Sequence, residues 1–239
     1  MSFNIHRFSN DTAVLVERMG TEFDKVIIEY KKLQKENEEL KSKLELLQVN
    51  TSLEDMKINP NKEAVVFFAA DVSGSMGSWE KTVGTELKKK IISFLDNKYR
   101  NVYANYIHHS TTAKLVPKDE FLVKAESGGT IVSSAFRLIN KELEDYDYLN
   151  DDLDVFVVYI SDGDNMTSDN IRAIKTLDKI TNKANKFIYF EVNRYHRYST
   201  LLSSLAQYNN DKFTYDVVKD EEDVNKSFAK VIKDIYKAN

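Results

Sequence analysis

The sequence predicts an α/β protein, a doubly wound, mostly parallel sheet flanked by helices, preceded by an amino-terminal coiled-coil helix. Three observations carry that prediction. Apolar runs of strand length, Val65 to Ala70, Val155 to Ile160 and Lys186 to Val192, alternate with stretches of helical periodicity. The first two runs lead into a glycine-broken loop at an aspartate, Asp71 and Asp162. Residues 16–47 carry a seven-residue apolar repeat.

Composition narrows the classes. A chain of 239 residues has room for one core-bearing domain and an accessory segment. With 42% hydrophobic and 30% charged residues it reads as soluble and globular. A net charge of -4 argues against nucleic acid as the main partner, because non-specific binding there rests on clustered Lys and Arg. The absence of cysteine excludes disulfides and thiolate metal sites. No apolar run reaches the ~20 residues needed to span a bilayer, and Met1 to Arg7 lacks the apolar core of a secretory signal. The expected location is the cytoplasm. A virus-encoded structural or host-binding assembly protein made there, and carried in a virion, would have the same sequence features.

In residues 1–50 the repeat places Val16, Phe23, Tyr30, Asn37 and Leu44 at a, and Met19, Val26, Leu33, Leu40 and Leu47 at d. Asn37 is the polar a residue that favours one register and two strands. Glu36 at g and Lys41 at the following e could pair between parallel strands. A homo-oligomer through residues 16–47 is expected, its rod about 32 residues and roughly 50 Å long. An amphipathic helix folded onto its own domain is the alternative, since periods of 3.5 and 3.6 separate poorly over this length. Residues 51–62, with Asn59-Pro60-Asn61, read as a linker, and 63–239 as the domain.

Within the domain, Thr82 to Leu95 has one apolar helical face, and Lys88, Lys89 and Lys90 read as solvated. Asn101 to His108 is the next strand, with Ala113 to Val116 as a short edge strand. His108 and His109, neighbours on a strand, point to opposite faces and do not share an ion. One is expected to pack and the other to sit at the sheet's carboxyl rim. A helix from Thr130 to about Leu143, an acidic connection from Glu144 to Asp154, and a helix from Ile171 to Asn182 follow. Arg194-Tyr195-His196-Arg197-Tyr198 joins basic and aromatic residues, which suits a binding surface or single-stranded nucleic acid. A loop that only packs its tyrosines is the plainer reading. The last strand is Phe213 to Val218, and acidic residues Asp220 to Asp223 open the final helix.

The candidate chemistry lies in the aspartate loops. Asp71, Ser73 and Ser75 can turn three oxygens toward one point, a hard set suited to Mg²⁺ or Mn²⁺. Asp, Ser and Gly are also ordinary turn residues. Ser127-Gly128-Gly129-Thr130 adds a hydroxyl at the start of a helix, and Asp162 a second carboxylate after a strand. Loops at the carboxyl ends of strands are where such sheets bind ligands.

In order and placement, Asp71-x-Ser73-x-Ser75, Thr130 and Asp162 resemble the metal-ion-dependent adhesion site of von Willebrand factor A domains, whose sheet is of the doubly wound, Rossmann-like kind. Asp71 to Gly77, Ile107-His108-His109, Glu126 to Ala135 and Ser161 to Asn165 are similar to the bacterial sporulation-associated YhbH/YeaH group. That similarity covers roughly residues 62–239 and not the first sixty. The resemblance implies a metal site of Asp71, Ser73, Ser75, Thr130 and Asp162. It also implies Mg²⁺ as the ion, with Mn²⁺ or Ca²⁺ as substitutes. It implies a non-enzymatic interaction module in which a partner's Asp or Glu completes the coordination sphere. An AAA+-type serine kinase is the partner it suggests. Asp164 and Asn165 are candidates for hydrogen bonds beside the site. The competing reading is a Mg²⁺-dependent phosphohydrolase with Asp71 as nucleophile. Against it, the acidic residue expected two positions after such a nucleophile is here Ser73.

Overall fold

A computed structural model of the chain describes residues 23–41, 43–44, 61–123, 128–146 and 152–237. Heptad positions Val16, Met19 and Leu47, most of the linker, and Ser127 lie outside these residues. The chain divides into two units, Met1–Gln48 and Val49–Asn239.

In the first unit, residues 23–41 form helix α1. Phe23, Val26, Tyr30, Leu33, Leu40 and Leu44, all heptad a or d residues, are exposed. The Asn37 side-chain amide donates to the Leu33 carbonyl at 3.2 Å, one turn back on its own helix.

The second unit is a six-stranded sheet in the order β3-β2-β1-β4-β5-β6. Its strands are β1 (Glu63–Asp71), β2 (Asn101–His109), β3 (Ala113–Leu115), β4 (Leu153–Ser161), β5 (Lys186–Val192) and β6 (Phe213–Val218). All neighbours pair in parallel except β2 with the short edge strand β3. Central strands covered on both faces need continuous apolar runs. Accordingly Ala64 to Ala70 and Val155 to Ile160 are buried without a break.

Among the described residues five α-helices accompany the sheet: α2 (Ser78–Asp96), α3 (Val132–Glu142), α4 (Asn170–Lys183), α5 (Thr200–Leu205) and α6 (Asp223–Lys237). Alternate residues along β1 face opposite sides of the sheet and divide the core. Val65, Phe67 and Ala69 face a cluster with Phe136 and Ile139 of α3, Leu177 of α4 and Leu201 of α5. Phe68 faces the other side, with Tyr106 and Phe121, and there Phe94 of α2 meets Phe228 of α6 edge to face. Phe136 packs edge-on against both Tyr159 and Phe187, at 5.2 and 5.1 Å between ring centres. The predicted mostly parallel α/β sheet flanked by helices is the observed one. Helix α5, a short segment containing Leu and Ser, is an addition to the predicted elements.

The order of strands reverses at β1. Two connections leave in opposite directions from the carboxyl ends of β1 and β4, opening a crevice there. Asp71 is the last residue of β1 and Asp162 follows the last residue of β4. The topology alone therefore brings the two aspartate loops side by side.

Three local expectations change. Lys88 is buried, its ammonium 5.6 Å from the Tyr106 ring centre and 5.3 Å from that of Phe121. The triple-lysine run is thus solvated only at Lys89 and Lys90, because the helix turn that carries Val83 and Leu87 inward carries Lys88 with them. Both histidines are buried, neither at an open rim. His108 accepts from the Leu122 backbone N–H at 2.8 Å and stacks on Phe121. His109, on the opposite face, meets the Tyr159 hydroxyl at 3.0 Å, and burial pushes its pKa down to about 4. Finally, the tyrosines of the Arg194–Tyr198 loop do not pack inward: Tyr195 is 65% and Tyr198 83% exposed.

Candidate metal-binding site

The β1–α2 loop turns back on Asp71. Its Oδ1 accepts the Ser73 backbone N–H at 2.8 Å, and the hydroxyls of Ser73 and Ser75 lie 3.1 Å apart. The other carboxylate oxygen receives the Thr130 hydroxyl at 3.5 Å and the Ser161 hydroxyl at 3.3 Å, both long contacts. The Ser75 hydroxyl also lies beside Asp162 and stabilises its ionised form. All five residues singled out in the sequence are therefore linked in one cluster by these contacts.

Thr130 reaches that point because its surroundings are pinned. Ile131 donates its backbone N–H to the Ser110 carbonyl at 2.8 Å, and Met166 donates to the Thr130 carbonyl at 3.1 Å. Helix α3 begins at Val132, two residues later than predicted. Its first orphan N–H groups are taken by side chains of the loop after β4. Val132 donates to Asn165 Oδ1 at 3.1 Å and Ser133 to Asp169 Oδ2 at 2.8 Å. Asn165 thus has a structural role at the site's edge. Asp164 contributes its backbone N–H to Asp162 Oδ1, at 3.1 Å, while its side chain is exposed.

Asp71 is fully buried. Removal from water pushes its pKa up to about 6, although the N–H and hydroxyl of Ser73 and the Ser161 hydroxyl work against the shift. Asp162 is also raised, chiefly by burial, with the charges of Asp71 and Asp164 adding to it. Its Oδ2 is buried with no hydrogen-bond partner. Two acidic groups whose charged forms burial disfavours stand together with hydroxyl oxygens between them. A hard divalent ion fits this donor set, all oxygen and without imidazole or sulfur.

Three participants escaped the sequence reading. Ser161 hydrogen-bonds Asp71 from the neighbouring strand; the parallel pairing of β1 with β4 was the available signal. Asp169 clamps α3 from beyond the metal loop, and nothing local marks it. Glu191, at the end of β5, is buried against the back of the second aspartate loop. It accepts from the Tyr189 hydroxyl at 2.8 Å and the Asn193 amide at 3.0 Å. Burial raises its pKa and the Asp162 charge raises it further. Gly163 touches this group with φ of +86°, and a Cβ there would stand 2.5 Å from Glu191 Oε2.

Comparison with known proteins agrees with the architecture. Residues 7–235 match the family described as "Protein of unknown function (DUF444)". The match takes in the amino-terminal segment, where the sequence alone offered no resemblance. A UPF0229 protein of Bacillus thuringiensis (strain Al Hakam) is 42% identical over 167 residues, 70% of this chain and 42% of the relative. One from Bacillus velezensis is 41% identical over 174 residues, 73% of this chain and 44% of the relative. The chain spans less than half the length of these relatives. Among solved structures, the open conformation of the pilus adhesin SpaC from Lactobacillus rhamnosus GG superposes with a TM-score of 0.53 at 14% identity. That match covers 75% of this chain and 30% of the adhesin. At that identity the likeness concerns the fold alone.

Proposed function

The chain belongs to the DUF444 family, whose function is unknown, and from the geometry of its site we propose a non-enzymatic, Mg²⁺-dependent protein-interaction module. The observation that carries this is the clustering of Asp71, Ser73, Ser75, Thr130 and Asp162, with the Asp71 carboxylate fully buried and Asp162 Oδ2 buried without a hydrogen-bond partner. Ser73, Ser75 and Thr130 would hold the ion, with Asp71 and Asp162 either binding it or accepting from its waters. Mn²⁺ or Ca²⁺ would fit the same oxygens. Bound there by few full negative charges, the cation supplies a Lewis-acidic position for an Asp or Glu of a partner. Asp71 accepts from the Thr130 and Ser161 hydroxyls, and the pinned Thr130 loop fixes the third hydroxyl. Neither histidine lends a base, since each ring is held within the core.

The resemblance to the YhbH/YeaH group extends this reading to a bacterial, cytoplasmic setting, with a sporulation or stress programme and an AAA+-type serine kinase as partner. No helix among the described residues is long and apolar enough to cross a membrane. A pull-down from a bacterial lysate, with wild type and an Asp71→Ala/Ser73→Ala variant in Mg²⁺ and in EDTA, tests the module. Partners held through the ion are lost equally in the variant and in EDTA. A partner set indifferent to both treatments refutes the proposal.

The exposed a and d residues of α1 support homo-oligomerisation through residues 16–47. Burying such a face gives about 25 cal/mol per Å² of apolar area, which charge at d positions removes. Sedimentation should find the wild-type chain oligomeric at micromolar concentration and a Leu33→Asp/Leu40→Asp variant monomeric. A monomeric wild type at that concentration sinks the oligomer.

A further inference from the structure

Five consecutive residues after β5, Arg194 to Tyr198, are exposed, yet the loop is tightly built. Asn193, itself buried, donates its side-chain amide to the Arg197 carbonyl at 2.8 Å and accepts the Arg197 N–H at 2.9 Å. The same amide donates to buried Glu191, and Ser199 donates its hydroxyl to the Gly163 carbonyl at 3.1 Å. The loop is thereby fastened at one end to Glu191 of β5 and at the other to the loop of Asp162. It also reaches the loop of Ser73 and Ser75: the Arg194 guanidinium stands 5.6 Å from the ring centre of Trp79, on the first turn of α2. Arg194 and Arg197 flank Tyr195 at 6.0 and 5.3 Å.

Stacking on a ring holds a guanidinium in place while leaving its in-plane N–H donors unused. Among the described residues neither arginine is in an ion pair. Two oriented forks with free donors, beside a site that would take one carboxylate, match a second carboxylate in charge and in planar geometry.

We infer that Arg194 and Arg197 form a second anchor beside the metal site, so that the partner is an acidic segment presenting two carboxylates, one to the ion and one to the arginines. This rests on the Mg²⁺-dependent reading above and narrows its partner. A lone acidic residue would be held weakly, and a di-acidic segment would be selected. Trp79, Tyr195 and Tyr198 would cover the segment's backbone and exclude water around the second carboxylate. The competing occupant, single-stranded nucleic acid, would use the same arginines and aromatics without the ion, and the chain's net charge of -4 works against it.

The test uses the full chain and acetylated, amidated Gly/Ser peptides carrying either one glutamate or two at graded separations. Calorimetry in Mg²⁺ and in EDTA gives affinities, and Trp79, the sole tryptophan, reports contact by fluorescence. At the best spacing the two-glutamate peptide should bind at least about tenfold more tightly than the single, the scale of a charge-assisted hydrogen-bonded pair. In an Arg194→Gln/Arg197→Gln variant that ratio should fall to about one, and the fluorescence response should be lost. Mg²⁺-dependent binding of both peptides with no preference at any spacing, or a preference that survives in the variant, overturns the second anchor and leaves the metal module standing. Failure of both peptides to bind in Mg²⁺ overturns the two together. Arginine-dependent, EDTA-resistant binding of an oligothymidylate, with no two-glutamate preference, assigns the loop to nucleic acid and overturns the inference.

Discussion

Asp71→Asn is expected to abolish Mg²⁺ binding and, in the same variant, to make the metal-free protein more stable at pH 8. The two effects have one origin. Burial lifts the Asp71 pKa from its ordinary 3.8 to about 6, so the fold favours the protonated form. The contribution to stability is fully present below pH 3.8 and is lost as pH rises to about 6 and beyond. At pH 8 the ionised group therefore costs about 3 kcal/mol. Asparagine keeps the oxygen that accepts from Ser73 and carries no charge, while its amide can donate to Thr130 or Ser161.

In EDTA, the wild-type melting temperature should fall between pH 4 and pH 7, and the variant should lack that part of the fall. At pH 8 the variant should melt higher by up to about 10 °C, given roughly 2–4 °C per kcal/mol for a chain of this size. Added Mg²⁺ reverses the order, raising the wild type alone, because an ion that binds only the native state stabilises it. That gain should shrink below about pH 6, where protons compete for Asp71. Calorimetry over pH 4–8 with Mg²⁺ and EDTA checks all of this. A variant that keeps the Mg²⁺ response contradicts the metal site, and one that melts below wild type at pH 8 in EDTA contradicts the cost of the buried Asp71 charge.

What could be seen in the sequence follows the range of the interactions. The strands at Val65 and Val155 were legible because burial on both faces leaves an unbroken apolar run. The five oxygen-bearing residues were legible because they sit at strand ends and helix starts, which the periodicity locates. Lys88 was misplaced because its ammonium is sheltered by Tyr106 and Phe121, neither of them near it in sequence. The supports of the site were hidden for the same reason. Asp169 acts on Ser133, 36 positions away, and Ser161 on Asp71, 90 positions away. Such partners exist only once the sheet order is set. The Arg194 loop was visible as a composition, but its exposure and its tie to Gly163 were not.

Gly163 is where a single added methyl should do the most damage to both anchors at once. Its φ of +86° is a region that side chains rarely adopt, at roughly 1–3 kcal/mol for a residue with a Cβ. The new Cβ would also lie 2.5 Å from both Glu191 Oε2 and Ser199 Oγ. Glu191 cannot swing aside cheaply, since Tyr189 and Asn193 hold its two oxygens. Ser199 is committed to the Gly163 carbonyl and to the start of α5. Relief must come from the loop itself, which would carry Asp162 away from Ser75 and loosen Asn193 under Arg197. Gly163→Ala should therefore destabilise the fold by about 2 kcal/mol or more and weaken Mg²⁺ binding and two-glutamate peptide binding together. Gly74, in the other metal loop, is the control: a Cβ there meets nothing within 4 Å, so Gly74→Ala should change stability by less than about 0.5 kcal/mol. Urea unfolding of both variants decides the matter. If Gly163→Ala proves as mild as Gly74→Ala, the loop yields freely, and Glu191 does not set the position of Asp162.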